Sequence, residues 1–213
     1  MTAAPVDVLL SASRFSRTDK LLWSIGALSC AVIALVSYRY VLGVGPAPDV
    51  VATNLLKAPW LVVHVGAAAT ALLTAPVQFV PAIRARFRRV HRWVGRVYAV
   101  SCVVGGAAGA ILAFGASTGP ISTAGFATLA VLWIAVTALA WRHARRRDFV
   151  AHRAWMLRSF ALTFAAVTLR LYLPLLTILP VDFADGYRTI SFLCWVPNLL
   201  AAELYVRTRA PAF

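Results

Sequence analysis

Six apolar stretches, at positions 21–42, 60–80, 93–114, 122–141, 154–176 and 189–206, are each long enough to cross a bilayer as a helix. A hydrocarbon core about 30 Å thick takes roughly 20 helical residues. Only helices and closed barrels can satisfy every backbone hydrogen bond inside it. The alternating stretches of a barrel, roughly ten residues each, are absent. The pattern therefore predicts an all-α, polytopic transmembrane bundle of six spans. With 61% hydrophobic residues and a mean hydropathy of +0.79 over 213 residues, one membrane domain uses up the chain. The expected organisation is a tail over 1–20, a membrane domain over 21–206 and a tail over 207–213.

Positive charge then orients the spans. Three basic residues (Arg14, Arg17, Lys20) precede the first span, six lie between positions 84 and 96, six between 142 and 158, and Arg207 and Arg209 follow the last. The opposite side carries Arg39, Lys57 and Arg188, while Arg170 falls within the fifth span. By the positive-inside rule the rich side is cytoplasmic, which predicts that both termini face the cytoplasm. A net charge of +14 would suggest nucleic acid in a soluble protein. Confined to loops beside apolar helices, it points instead to anionic lipid headgroups at the cytoplasmic face, and to no nucleic acid. The first apolar stretch is about twice a signal-peptide core, so it is read as a retained span.

Cys30, Cys102 and Cys194 each stand alone in a different span, without CxxC spacing, and read as small lipid- or core-facing residues. Turn residues mark the outer loops: Gly43, Gly45, Pro46 and Pro48, then Gly115, Gly119 and Pro120, then Pro180 and Gly186. Trp23, Trp60, Trp93, Trp141 and Trp155 fall near span ends, where an amphipathic ring is at home. Gly105, Gly106 and Gly109 on the third span and the run 66–69 on the second are small faces. Such faces serve close helix packing or make room for a flat cofactor.

The second and third spans are joined by a basic loop ending in His91-Arg92-Trp93, the fourth and fifth by one ending in His152-Arg153-Ala154-Trp155. This weak repeat suggests two parallel hairpins with His91 and His152 at equal depth. His64 has no counterpart, its equivalent being Gly125.

The stretches His64-Val65-Gly66, Ala75-Pro76-Val77-Gln78-Phe79, His91 to Tyr98 and His152 to Ser159 resemble the bacterial membrane proteins grouped as domain of unknown function 2306. That resemblance implies a multi-pass protein of the bacterial cytoplasmic membrane and, since the family has no established activity, no mechanism.

Ionisable groups within spans are costly and usually face the bundle interior. Helical geometry places His152, Ser159, Thr163 and Arg170 on one stripe of the fifth span, with His152 and Arg170 about 27 Å apart. His91, Tyr98, Cys102 and Gly109 align on the third span, and His64 with Gln78 on the second. By depth, Gln78, His91, Arg96, Tyr98, His152, Arg158 and Glu203 belong toward the cytoplasm, His64 and Arg170 toward the outside. Glu203 is the only acid within a predicted span, so it is expected to pair with Arg96 or Arg158 as a structural clamp. His143 stands in an arginine-rich loop and reads as surface.

Three functions remain open on this pattern. In one, a b-type haem redox protein, His91 and His152, with His64 as a further candidate, hold haem, and nearby arginines neutralise its propionates. In another, a carrier or binding protein for a small anion, quinone or lipid headgroup, Arg170 and His64 form an outer site. Arg158, Arg96 and His152 form its inner site, with Ser159 and Thr163 between and Gln78 and Tyr98 nearby. The third is a non-catalytic accessory component, as a homodimer or with a membrane partner subunit. No HExxH, GxSxG or P-loop motif is present. A zinc site of His91, His152 and Glu203 rests on depth alone, so no metal is assigned.

Overall fold

The computed structural model describes residues 17–45 and 49–209. The expectations on Arg14, on Pro46 and Pro48 and on 210–213 lie outside the described residues. Six helical passes follow one another. α1 (Arg17–Ser37) continues as a short 3₁₀ turn, Tyr38–Tyr40, and α2 (Asp49–Ala52) lies in the following loop. α3 (Trp60–Gln78) returns, and α4 (Pro81–Arg86) turns the chain into α5 (Arg88–Phe114). α6 (Pro120–Arg145) leads to a fifth pass made of α7 (Phe149–Thr163), α8 (Ala165–Tyr172) and α9 (Leu175–Ile178). α10 (Phe183–Leu193) and α11 (Val196–Arg209) complete the sixth. The apolar spans extend over Lys20–Tyr40, Trp60–Gln78, Arg88–Phe114, Pro120–Arg145, Phe149–Ile178 and Phe183–Thr208.

The helices outrun the apolar stretches at their basic ends, because arginine-rich turns still form backbone hydrogen bonds where hydropathy has dropped. α5 starts at Arg88 rather than at 93, which places His91 inside the helix. The sixth pass starts at Phe183 rather than at 189, where the Asp182 carboxylate accepts from the backbone N–H groups of Ala184 and Asp185. Asp148 caps α7 in the same way through Ala151. That bond and His143 hold its carboxyl below the usual carboxylate range, so the stabilisation is present above the unfolded pKa and lost as pH falls through the folded one.

The last two passes are not the straight spans that the sequence predicts. The fifth bends at Phe164 and again at Leu173 and Pro174, the sixth at Cys194 and Trp195. Pro174 and Pro197 remove N–H donors there. At the break in the sixth pass Thr168 Oγ1 and Asn198 Nδ2 both donate to the Cys194 carbonyl, at 2.5 and 2.9 Å. At the Phe164 bend, Thr163 Oγ1 donates back to the Ser159 carbonyl at 2.9 Å, a bond that bends helices.

α3, α5, α6 and α7 form a four-helix ring in which each packs on the next and α3 also touches α7. α1 leans on α3 and α8 from outside, and α10 and α11 lean on α6 and α7. Tyr98, Cys102, Trp133, Val136 and Leu162 centre the main core, and Cys30, Ala34, Leu72 and Val167 seal α1 against it. All three cysteines are buried thiols that face the core. Trp23, Trp60, Trp93 and Trp141 are exposed, whereas Trp155 packs on the main core.

The glycine face of α5 is filled by protein. A Cβ at Gly105 would meet Ala67, Ala68 and Trp133 at 3.3 Å, and one at Gly106 would meet Ile134 Cγ1 at 2.6 Å. At these two positions the face serves close packing.

Candidate functional site: a basic intramembrane cavity

A cavity of about 440 Å³, within the usual range for small-molecule sites, is lined by the first pass and by α3, α5, α6 and α8, and its lining reaches Lys57, Ser117 and Thr118 at the arginine-poor end. It spans positions 105–116 on α5 and 162–173 on α7 and α8, about 16 Å of depth at 1.5 Å rise per residue. Its upper part carries Arg39, Lys57 and Arg170, and its wall carries His64. The walls below are largely aliphatic, including Val65, Leu129, Leu162 and Leu169. Among the described residues no carboxylate lines it.

None of the three cations has an acidic partner among the described residues. Arg170 donates through Nη1 to the Ala166 carbonyl at 3.0 Å and through Nη2 to Ser37 Oγ at 2.9 Å. Arg39 donates through Nη2 to Tyr40 Oη at 2.9 Å and lies over that ring, but its buried Nε has no acceptor among the described residues. Lys57 Nζ meets only the Ala52 carbonyl, at 2.7 Å. Lys57 is exposed, whereas the half-buried Arg39 and Arg170 are held against backbone and hydroxyl dipoles alone, which compensate a charge poorly.

His64 is seated by two glycines one turn apart. Its Nδ1 lies 2.8 Å from the Gly105 carbonyl, and a Cβ at Gly109 would stand 2.9 Å from the same nitrogen. A carbonyl only accepts, so Nδ1 carries the proton and Nε2 keeps its lone pair. His152 is held likewise, with Nδ1 2.9 Å from the Ala140 carbonyl.

His91 differs. With the Gln78 amide turned to suit its neighbours, the amide nitrogen donates to His91 Nδ1 at 2.9 Å and the oxygen accepts from Gly95 N at 3.2 Å. An imidazole that accepts at Nδ1 carries its proton on Nε2. Neither His91 nor His152 lines the cavity. Outside the spans, burial and the neighbouring Arg153 lower the pKa of Arg84 at this basic end.

Below the cavity floor the Ser159–Thr163 stripe meets the ring's other helices. Tyr98 Oη lies 2.7 Å from Ser159 Oγ and 2.8 Å from Thr163 Oγ1, and Ser159 Oγ lies 2.7 Å from Thr137 Oγ1. Thr163 Oγ1 also accepts from Trp133 Nε1 at 2.9 Å. Further bonds from Thr137 to the Trp133 carbonyl and from Thr163 to the Ser159 carbonyl give five hydroxyl contacts. Four hydroxyls have four protons between them, so the contacts cannot all be made at once.

The residues expected to cluster toward the cytoplasm therefore divide. Gln78 and His91 form one unit, Tyr98, Ser159 and Thr163 another, and His152 a third. Arg158 bonds Glu203 at the edge of α7 and α11, through Nη2 at 2.6 Å and Nε at 2.8 Å. Arg96 is not with them, lying instead over the Trp93 ring beside Arg89 and Arg92. Toward the other end, Arg170 and His64 do share one cavity. Sequence reasoning missed Arg39, Lys57, Trp133 and Thr137 as members of these groups. The available signal was that the arginine-poor side spends its few cations there. Arg188, the remaining one, pairs with Asp185 at 2.5 Å and donates to the Thr118 carbonyl at the cavity rim.

No curated protein and no solved structure matches this chain. A family model described as predicted membrane protein (DUF2306) matches residues 61–206, from the start of α3 into α11 and more than half of the chain, and the chain belongs to that family.

Proposed function

We propose that this membrane protein binds, and as a carrier moves, an anionic ligand received in the cavity between α1, α3, α5 and α8. The observation that carries this is the set of Arg39, Lys57 and Arg170 around an apolar cavity with no carboxylate in its wall among the described residues. A guanidinium stays charged when buried, so the missing counter-charge is best supplied by a ligand. His64 Nε2 adds an acceptor for a protonated ligand oxygen.

The haem reading requires His91 and His152 as ligands, and the Gln78 bond puts the His91 proton on the nitrogen that iron would need. That favours the anion. The test is negative-ion mass spectrometry of organic extracts from wild-type protein and from Arg170→Gln protein, purified in the same neutral detergent. An anionic species retained by the wild type and lost from the variant is expected. Identical extracts would sink the proposal in favour of a non-catalytic membrane component. A Soret band abolished by His91→Ala and His152→Ala would replace it with haem.

A further inference from the structure

Resting on that anion-binding reading, we propose that the ligand is a single-chain anionic amphiphile. Its head is held by Arg39, Lys57 and Arg170, and its chain lies down the cavity toward Trp133 and Leu162. The first ground is the distribution of polarity. All three cations stand in the upper part, while the depth of about 12 Å from Arg170 down to Leu162 is walled largely by Val65, Ala68, Leu129, Leu162 and Leu169. A small anion would neutralise the cations and leave that apolar volume unfilled, forfeiting the dispersion contacts that its walls can make. The polar groups at the floor, Thr163 and Trp133, already bond one another and offer a second head little.

The donors provide the second ground. The buried Nε of Arg39 lacks an acceptor among the described residues, and an unmade bond on a buried charged group is costly. Arg170 uses two of its five N–H donors within the chain. A carboxylate or phosphate head has the several lone pairs that such donors require.

The third ground is access. The first pass, α1 with its 3₁₀ extension, contributes Val36, Ser37, Arg39 and Tyr40 to the cavity wall and is the least embedded, with 17% of its apolar window buried against 28–39% for the others. It is the wall that a chain entering from the bilayer displaces most easily.

The experiment is thermal unfolding of the full chain in neutral detergent, followed by tryptophan fluorescence, with five probes at equal concentration. The probes are palmitate, 1-palmitoyl lysophosphatidate, hexadecanol, acetate and inorganic phosphate. Palmitate or the lysophosphatidate is expected to raise the midpoint by about 5 °C at a hundredfold excess over the dissociation constant, with hexadecanol, acetate and phosphate inert. Whichever acyl anion gives the larger shift names the head as carboxylate or phosphate. Arg39→Lys keeps the charge and loses the Nε–H, and is expected to bind the acyl anion at least tenfold more weakly. Arg170→Gln provides a second variant should that one not fold. Acetate or phosphate matching the acyl anions would overturn the amphiphile while leaving the anion-binding reading intact. No shift with any anion, or hexadecanol matching palmitate, would overturn both.

Discussion

Glu203 accepts from Arg158 through one oxygen and from Arg207 through the other, the latter at 2.6 Å. The sequence leaves Arg96 and Arg158 as alternatives because both are near its depth, and depth says nothing about which helix lies beside α11. Arg207, one turn along the same helix, is legible from the i,i+4 spacing yet is easily overlooked as tail charge. The pair is partly exposed, with 17% of the Arg158 side chain and 30% of the Glu203 side chain accessible, so each single loss is expected to cost only about 1 kcal/mol. Exchanging Arg158 and Glu203 alone sets an arginine beside Arg207. Thermal midpoints should therefore recover less in the double exchange than in the triple variant that adds Arg207→Glu. Equal recovery would show that Arg207 contributes nothing.

Helix α5 shows what glycines do in this bundle at the level of an element. Gly95 makes room for Gln78, Gly109 for His64, and on α6 Gly125 makes room for Ser191, so polar side chains from neighbouring helices sit on glycines. A small-residue face is plain in the sequence; which side chain it receives is not, because that depends on the rotation of the facing helix. Gly109→Ala would press a methyl against the imidazole and is expected to cost about 1–3 kcal/mol by overpacking. In a His64→Ala background most of that cost should vanish, as a double-mutant cycle on thermal unfolding would register. An unchanged cost would place the strain elsewhere. The stripe on the fifth pass was legible from helical phase through Ser159 and Thr163, whereas the bend at Phe164 was not, since no proline marks it. Tyr98 and Ser159, on α5 and α7, bond each other near the bundle centre.

For the whole molecule, six passes bring both ends of the membrane domain out on one side, and the positive-inside rule predicts from the arginine content that this side is cytoplasmic. Alkaline phosphatase fused after residue 209 or in the 115–119 loop checks this: activity is expected only from the loop fusion. The reverse pattern would invert the molecule and turn the Lys57 end of the cavity toward the cytoplasm. The number of spans, their approximate limits and the two-sided charge were determined by the sequence alone. Hydropathy and charge are properties read along the chain, and bilayer thickness supplies the ruler. Only the tertiary structure decided that Arg39, Lys57, His64 and Arg170 share one cavity while Arg96 and Glu203 stand apart. Those groupings depend on the neighbour order and rotational phase of helices far apart in the chain, which the packing of small faces settles and no periodicity records.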